Sequence, residues 1–199
     1  MEAQRSAAKG DVEVEHSVHS LLHNHLGVSL PLHISLSRPL VLKTEQKDGY
    51  LQRLKQSVSS TGSAHAFDVS LADLKWHPNE DRTRWFLVTR VADAHGDLLK
   101  LLQTCNSVAT AYDQPRLYED DNKDASPEAL AASVVDKFHI SIAWSLRPPA
   151  TASSPKTEES TSLLDKVRDL RVHFADVKVR IGQDVTSIAL APRRQRKGS

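Results

Sequence analysis

Two periodicities alternate along the chain. Apolar residues recur at the spacing of an amphipathic helix in four segments, and we expect helices over residues 12–26, 47–60, 95–111 and 162–170. Alternating apolar and polar residues, rich in β-branched and aromatic types, predict strands over residues 30–36, 66–76, 84–91, 137–146, 171–181 and 184–190. The order helix-strand-helix-strand-strand occurs twice. It predicts one α+β domain of two pseudo-symmetric lobes, each a small antiparallel sheet with outer helices, around a central groove.

The connecting segments carry turn and loop composition. His77-Pro-Asn-Glu-Asp81 separates two predicted strands as a hairpin turn, and Gly182-Gln183 fits a tight turn. Polar residues predict loops at 119–135 and 148–160. We expect a disordered N-terminus, a single domain and a basic tail, over residues 1–11, 12–191 and 192–199 respectively.

Composition narrows the class of protein. No apolar run approaches the ~20 residues of a membrane span, and the first residues lack the apolar stretch of a secretory signal. One cysteine, Cys105, favours a reducing compartment. The net charge of +1 argues against a protein that coats long duplexes, because phosphate neutralisation needs a positive excess. An enzyme that holds only one or two nucleotides remains compatible with this charge.

The sequence offers little support for a metal or nucleotide-cofactor site. Neither the dinucleotide-binding glycine pattern nor the P-loop pattern occurs among only seven glycines. His19 and His23 have a spacing that can bind zinc, but no third ligand is evident nearby. We therefore predict no metal and no cofactor.

The tripeptide His-Ile-Ser occurs twice, in LHISL (32–36) and FHISI (138–142). Alternation along a strand places His33 and Ser35 on the face opposite Leu32 and Ile34. In the second copy it predicts one face with Phe138, Ile140, Ile142 and Trp144, and another with His139, Ser141, Ala143 and Ser145. A solvated polar face explains one such strand well, but two copies in corresponding lobes favour one shared groove.

Two imidazoles and two hydroxyls suit phosphodiester chemistry. Histidine titrates near neutrality, so one ring can take a proton from a nucleophile while the other gives one to the leaving oxygen. The serine hydroxyls can donate to phosphate oxygens where charge builds up. No metal ion is needed for these steps.

The motifs together resemble the 2H phosphoesterase superfamily, and more specifically the U6 small nuclear RNA phosphodiesterase family. The resemblance rests on LHISLS (32–37), FHISIAW (138–144) and the intervening NEDRTRWFLV (79–88), and it spans residues 12–190. It implies a nuclear 3′→5′ exoribonuclease that trims the oligouridine end of U6 RNA. The 2′-hydroxyl would attack the adjacent phosphodiester, release the terminal unit and leave a 2′,3′-cyclic phosphate, which some members then open.

The resemblance also implies residue roles. His33 and His139 would be the acid/base pair, Ser35 and Ser141 would bind phosphate, and Tyr118 would stack on the terminal base. Which histidine is the acid stays open, as does the final form of the phosphate. The implied partner is a single-stranded RNA 3′ end, bound by a monomer. Alternatives are a 2′,3′-cyclic nucleotide phosphodiesterase, a 2′-5′ RNA ligase-like enzyme, or a non-catalytic module that binds RNA ends.

Overall fold

The computed structural model describes residues 17–60, 65–93, 95–118, 126–147 and 165–192. The three helices are α1 (Lys47–Ser60), α2 (Asp97–Thr110) and α3 (Pro127–Val135), and a 3-10 turn, Thr44–Gln46, precedes α1. The strands are β1 (His19–Ser20), β2 (Phe67–Pro78), β3 (Trp85–Ala92), β4 (His139–Ser145), β5 (Arg171–Phe174), β6 (Asp176–Ile181) and β7 (Asp184–Ala189). None of the described helices is long and apolar enough to cross a membrane.

Five of these strands form one antiparallel sheet in the order β1-β4-β3-β2-β5, and β6 and β7 form a separate hairpin. The predicted α+β class is confirmed. The strand grouping differs from the prediction, because β2 and β3 share a sheet with β4 and β5 instead of forming a sheet of their own. Residues far apart in the sequence therefore lie side by side at the centre of one sheet.

The main core lies between this sheet and the helices α1 and α2. Each helix presents an apolar stripe whose spacing follows the helical period, with Tyr50, Leu54 and Val58 buried on α1 and Leu98, Leu101, Leu102, Cys105 and Val108 buried on α2. Phe138, directly before β4, is fully buried in this core. Burial of Phe138 fixes the position of the next residue, His139, at the start of its strand.

The predicted helices at 47–60 and 95–111 and the predicted central strands are confirmed to within two residues at each end. The turn between β2 and β3 is closed by the side chain of Asn79, whose Oδ1 accepts hydrogen bonds from the backbone N–H groups of Thr83 and Arg84. Helix α2 begins in a similar way, because the Asp93 carboxylate accepts from the N–H groups of Asp97 and Leu98. The polar residues Asn79 and Asp93 thus determine where the β2–β3 turn forms and where α2 begins.

The predicted N-terminal helix is wrong over its described part, residues 17–26. Asn24 Oδ1 accepts from the N–H groups of Leu26 and Val28, and Gly27 adopts a φ of +77°. This side-chain turn competes with a helix for the same backbone donors. The chain instead forms the short strand β1 and a bridge between His23 and Ser29.

The predicted strand at 30–36 is also wrong as a sheet element. No ladder forms there in the described structure, and the chain runs on without regular secondary structure. Its alternation is partly preserved, because Ile34 and Leu36 pack against the core while His33 is exposed. The apolar pattern thus predicted the buried side correctly at Ile34 and Leu36, but Leu32 is exposed and the hydrogen-bonded pairing is absent.

The predicted loop at 119–135 is wrong over residues 127–135, which form α3. Ser126 caps this helix by accepting from the N–H of Ala129, and Pro127 occupies its first turn. Both are standard helix-start signals. Of the predicted helix at 162–170, residues 165–169 are helical. The predictions for 1–11, 12–16, 119–125, 148–160, 162–164 and 193–199 lie outside the described residues.

Candidate active site

Strand β4 carries the second His-Ile-Ser motif and contains a β-bulge. Leu87 pairs with Ala143 but the next residue, Val88, pairs with Ser141, so Ile142 is the extra residue. The alternation of side chains between the two faces of the sheet is therefore reversed after the bulge. The burial pattern agrees, because Ile140, Ala143 and Ser145 are the buried residues of β4.

The bulge corrects the predicted faces of this strand. On β3, Phe86, Val88 and Arg90 share one face because they are two residues apart, and they pair with Trp144, Ser141 and His139 respectively. Trp144 therefore lies on the same face as His139 and Ser141. Ala143 and Ser145, which the simple alternation placed beside His139, lie on the opposite face.

His139 is held by its own backbone neighbourhood. Its Nδ1 donates to the carbonyl oxygen of Lys137 at 2.8 Å, because a carbonyl can only accept. The ring is half-buried, and its other nitrogen, Nε2, has no hydrogen-bond partner among the described residues. A neutral His139 then has its proton on Nδ1 and an open acceptor at Nε2, which is the arrangement a proton-transfer residue needs.

Arg90 of β3 pairs with His139 of β4 and anchors this part of the sheet through two ion pairs. Its guanidinium contacts Asp73 at 2.6 Å and Asp136 at 2.9 Å. Asp73 lies at an irregularity of β2, and Asp136 ends α3. The guanidinium thus joins β2, β3 and the segment leading into β4, and the pKa of Arg90 is raised above its ordinary value by these carboxylates, Asp73 first.

A second imidazole on the sheet, that of His77, lies against His139. The two ring centroids are 6.4 Å apart and the rings are tilted by 46°. His77 pairs with Phe86 across β2 and β3, so it belongs to the face that carries Phe86 and Val88. The pKa of His77 is lowered from its ordinary value by burial first, and then by the charges of His139 and Lys75.

Sequence reasoning did not include His77 in the site. It belongs to no His-Ile-Ser repeat and lies beside the hairpin turn, where an exposed histidine is unremarkable. An irregularity between Leu71 and Leu74 also shifts the register of β2, so simple counting from the buried residues does not place His77.

The first motif is placed differently from the second. His33 is exposed and Ser35 is half-buried, and neither makes a hydrogen bond or ring contact with another described residue. The next segment is tied down by Arg38, whose Nη2 donates to both carboxylate oxygens of Glu80 at 2.8 and 2.9 Å. Among the described residues, the ring of His139 contacts the ring of His77 and does not contact that of His33. The His33–His139 pairing therefore stays a prediction.

Tyr118 lies at the end of the chain segment that precedes the second motif. Its ring packs edge-on against Phe138, with 5.8 Å between centroids. The ring is half-buried, and burial raises the pKa of its hydroxyl. Tyr118 thus contacts the residue that precedes His139, although 21 positions separate Tyr118 and His139 in the sequence, and its base-stacking role stays a prediction.

Trp144 closes one end of the face that carries His139. The ring of His19 stacks on it at 4.2 Å, and the guanidinium of Arg84 lies 4.9 Å from its centroid. The indole of β4 thus contacts β1 and the end of the turn that precedes β3. Among the described residues no group of three or more metal-ligating side chains is close enough to hold an ion.

A separate depression of about 670 Å³ runs along the outer side of α1, lined by residues such as Asp48 and Arg53, and it includes none of these histidines.

Comparison with known proteins adds independent information. A family model described as HVSL, an uncharacterised conserved protein, matches residues 2–189. A curated relative from Neurospora crassa, U6 snRNA phosphodiesterase 1, is 33% identical over 192 residues, covering 83% of this chain and 49% of the relative. A protein of the same name from Drosophila melanogaster is 26% identical over 161 residues, covering 80% of this chain and 55% of the relative. The chain thus spans about half the length of the curated relatives it matches.

A solved structure shares the fold. The structure of Kluyveromyces marxianus Usb1 with uridine monophosphate aligns with a TM-score of 0.58 at 20% identity, covering 88% of this chain and 82% of that chain. This likeness supports the α+β architecture described above. The family match covers most of the chain and agrees with the resemblance carried by the two His-Ile-Ser motifs. The chain therefore belongs to the HVSL family, and the curated relatives that it resembles are named U6 snRNA phosphodiesterase 1.

Proposed function

We propose that this chain is a metal-independent 3′→5′ RNA exonuclease that shortens the oligouridine end of U6 RNA in the nucleus. One structural observation carries the chemical part of the proposal. His139 is anchored through Nδ1 on the Lys137 carbonyl, its Nε2 is open, and Ser141 lies on the same face of the sheet. The substrate class is supported by the names of the relatives and by the uridine monophosphate in the structural neighbour.

The proposed reaction is an internal transesterification. The 2′-oxygen of the penultimate residue forms a bond to phosphorus, and the bond from phosphorus to the 5′-oxygen of the terminal unit breaks. One histidine takes the proton of the 2′-hydroxyl, and the other gives a proton to the departing 5′-oxygen. The product is a terminal 2′,3′-cyclic phosphate, and addition of water to this ring would give the opened monophosphate. Each proton transfer is typically worth roughly 10²–10⁴ in rate.

His139 and His33 are the proposed acid/base pair, and Ser141 and Ser35 are the proposed donors to the phosphate oxygens. The hydroxyl of Ser141 has no hydrogen-bond partner among the described residues, so it is available to a substrate. His33 is exposed on a segment without regular secondary structure, so its ring is accessible to bound RNA. Tyr118 is the proposed stacking residue for the terminal base, a contact worth roughly 1–3 kcal/mol per base.

The test uses oligouridine with a free 3′ hydroxyl, incubated with the purified chain in EDTA. Stepwise shortening with a 2′,3′-cyclic end supports the proposal, whereas complete loss in EDTA rejects the metal-free mechanism. Activity confined to 2′,3′-cyclic nucleotides would identify a different enzyme of the superfamily. Binding of the RNA end without any cleavage would identify a non-catalytic module.

Variants separate the two histidines in the same assay. We expect His139→Ala and His33→Ala each to lower the rate by about 10²–10⁴. His173→Ala is a matched control, because His173 is an exposed imidazole on β5 of the same sheet that pairs with Asp68. If neither His139→Ala nor His33→Ala lowers the rate by more than about tenfold, acid/base catalysis by this pair is wrong. Gel filtration with light scattering checks the proposed monomer.

A further inference from the structure

The described structure brings His139 together with a histidine that lies outside both His-Ile-Ser motifs. His77 projects from β2 near its end, two strands away from His139, with the buried Val88 of β3 between them in the sheet. Despite this separation the two rings approach to 6.4 Å between centroids. The side chains therefore converge over Val88, and this convergence defines a small polar site on an apolar floor.

The spacing of the two rings matches one phosphate group. A hydrogen bond from an imidazole N–H to an oxygen spans about 3 Å. Two rings whose centroids are 6.4 Å apart can therefore both reach oxygens of one tetrahedral group bound over them. His77 donates as a neutral ring, and His139 donates through Nε2 once that nitrogen carries a proton. Ser141 pairs with Val88 on β4, so its hydroxyl borders the same space. Lys75 pairs with Val88 from β2 and adds a positive charge on the other side.

We propose that His77 is a further residue of the phosphodiesterase site, which donates a ring N–H to a non-bridging oxygen of the scissile phosphate beside His139. The inference rests on the proposed function and deepens it, because it adds a phosphate-binding group that neither motif contains. His77 takes no proton from the substrate and gives none to it. Its contribution is the hydrogen bond that strengthens as charge accumulates on the phosphate oxygens.

The electrostatic surroundings agree with a neutral donor. Burial, His139 and Lys75 all lower the pKa of His77, which favours its uncharged form. An uncharged imidazole keeps one N–H for donation. It also avoids placing a second fixed cation beside the ring that has to exchange protons with the substrate.

Three substitutions at this position separate hydrogen bonding from packing. His77→Ala removes the ring and the donor, His77→Phe keeps a ring without a donor, and His77→Gln keeps an amide N–H without a ring. We expect Ala and Phe each to lower kcat/KM on oligouridine by roughly 10²–10³, the usual effect of losing one preorganised donor, and Gln to recover at least tenfold of that loss. His173→Ala serves as the control and should stay within twofold of the unsubstituted protein.

A purely structural role predicts the reverse order. If Phe restores activity and Gln does not, or if Ala stays within twofold, the inference is overturned. Thermal unfolding of each variant shows that the chain is folded. A second measurement follows the imidazole signals of His77 and His139 by NMR while uridine monophosphate is added. Both rings should respond at the same nucleotide concentration, and a response of His139 alone contradicts the inference.

The two measurements also separate this inference from the proposed function. If the unsubstituted chain does not shorten oligouridine, the proposed exonuclease activity is wrong, but binding of uridine monophosphate between the two rings still supports the phosphate site. If the chain shortens oligouridine and His77→Ala does so equally well, the activity holds and the role of His77 is wrong. If neither activity nor a response of His77 is seen, both are wrong.

Discussion

His139 donates from Nδ1 to the carbonyl oxygen of Lys137, two residues earlier in the chain, at 2.8 Å. The ring is therefore oriented by the backbone that leads into its own strand. Phe138, between the two residues, is fully buried and holds that backbone in place. A single short segment thus fixes both the tautomer of the neutral ring and the direction of Nε2.

This contact predicts different effects for two substitutions of His139. The amide nitrogen of asparagine can replace Nδ1 as a donor to Lys137 but offers nothing in place of Nε2. We expect His139→Asn to keep the free energy of unfolding of the parent. In His139→Ala this free energy should fall by about 1 kcal/mol, the usual net value of one hydrogen bond. Both should lower the rate on oligouridine equally. Substantial activity in His139→Asn would contradict the role of Nε2.

The ionisation of His77 should be shifted toward acid. The ordinary histidine pKa is about 6.5, and burial, His139 and Lys75 lower it in that order of size. An NMR titration of the His77 ring should give a pKa below that value. It should rise in His139→Asn and rise less in Lys75→Met. A rise to the ordinary value in either variant would show that burial is not the largest cause.

The same shift has a consequence for stability. Because the folded pKa of His77 is depressed, the unfolded chain takes up this proton first as the pH falls. The contribution of His77 is therefore fully present above a pH of about 6.5 and decreases as the pH falls below it. Urea denaturation at several pH values should show a weaker decrease for His77→Gln than for the parent. An equal decrease would show that other groups dominate.

Tyr118 tests packing and stacking at one position. Its ring meets Phe138 edge-on at 5.8 Å, and this geometry adds about 0.5–1.5 kcal/mol to ordinary burial. We expect Tyr118→Ala to lower the free energy of unfolding by about 2 kcal/mol and Tyr118→Phe to change it little. If Tyr118 also stacks on the terminal base, KM for oligouridine rises in the alanine variant alone. An unchanged KM would leave Tyr118 with packing only.

Arg90 should contribute unequally through its two carboxylate partners. Asp73 is closer and less exposed than Asp136, with 2.6 against 2.9 Å and 42% against 74% of the side chain accessible. Arg90→Met should lower the free energy of unfolding by about 1 kcal/mol, the range for two partly exposed ion pairs. Asp73→Asn should account for most of this in urea denaturation. Lys100→Met, which removes a 3.7 Å pair with Asp97, is a control with a smaller effect.

The sequence predicted the parts of the fold that follow a regular period. Helices α1 and α2 and strand β3 carry regular patterns, and the structure confirms them together with the positions of β2 and β4. The errors arise where a single side chain or one extra residue overrides the period. Asn24 turns the predicted N-terminal helix aside, Ser126 starts an unexpected helix, and Ile142 shifts the phase of β4.

The candidate site was predicted in the same uneven way. His139 and Ser141 lie on one face, as the alternation required, because no irregularity separates them. His77 could not be found in this way, since its approach to His139 depends on the curvature of the sheet and on the shifted register of β2. His77 is identified as a neighbour of His139 by its position in the folded structure, and not by the repeated tripeptide.

The bulge at Ile142 determines which side chains of the β4 motif share a face. Transplanting His-Ile-Ser-Ile-Ala-Trp into an unbroken strand of another protein would send the indole to the opposite surface from the imidazole, because alternation alone separates positions five apart. Deleting Ile142 from this chain would instead leave the two rings four positions apart in a regular strand, and so still on one surface. A designer who copies all six residues must therefore copy the bulge with them.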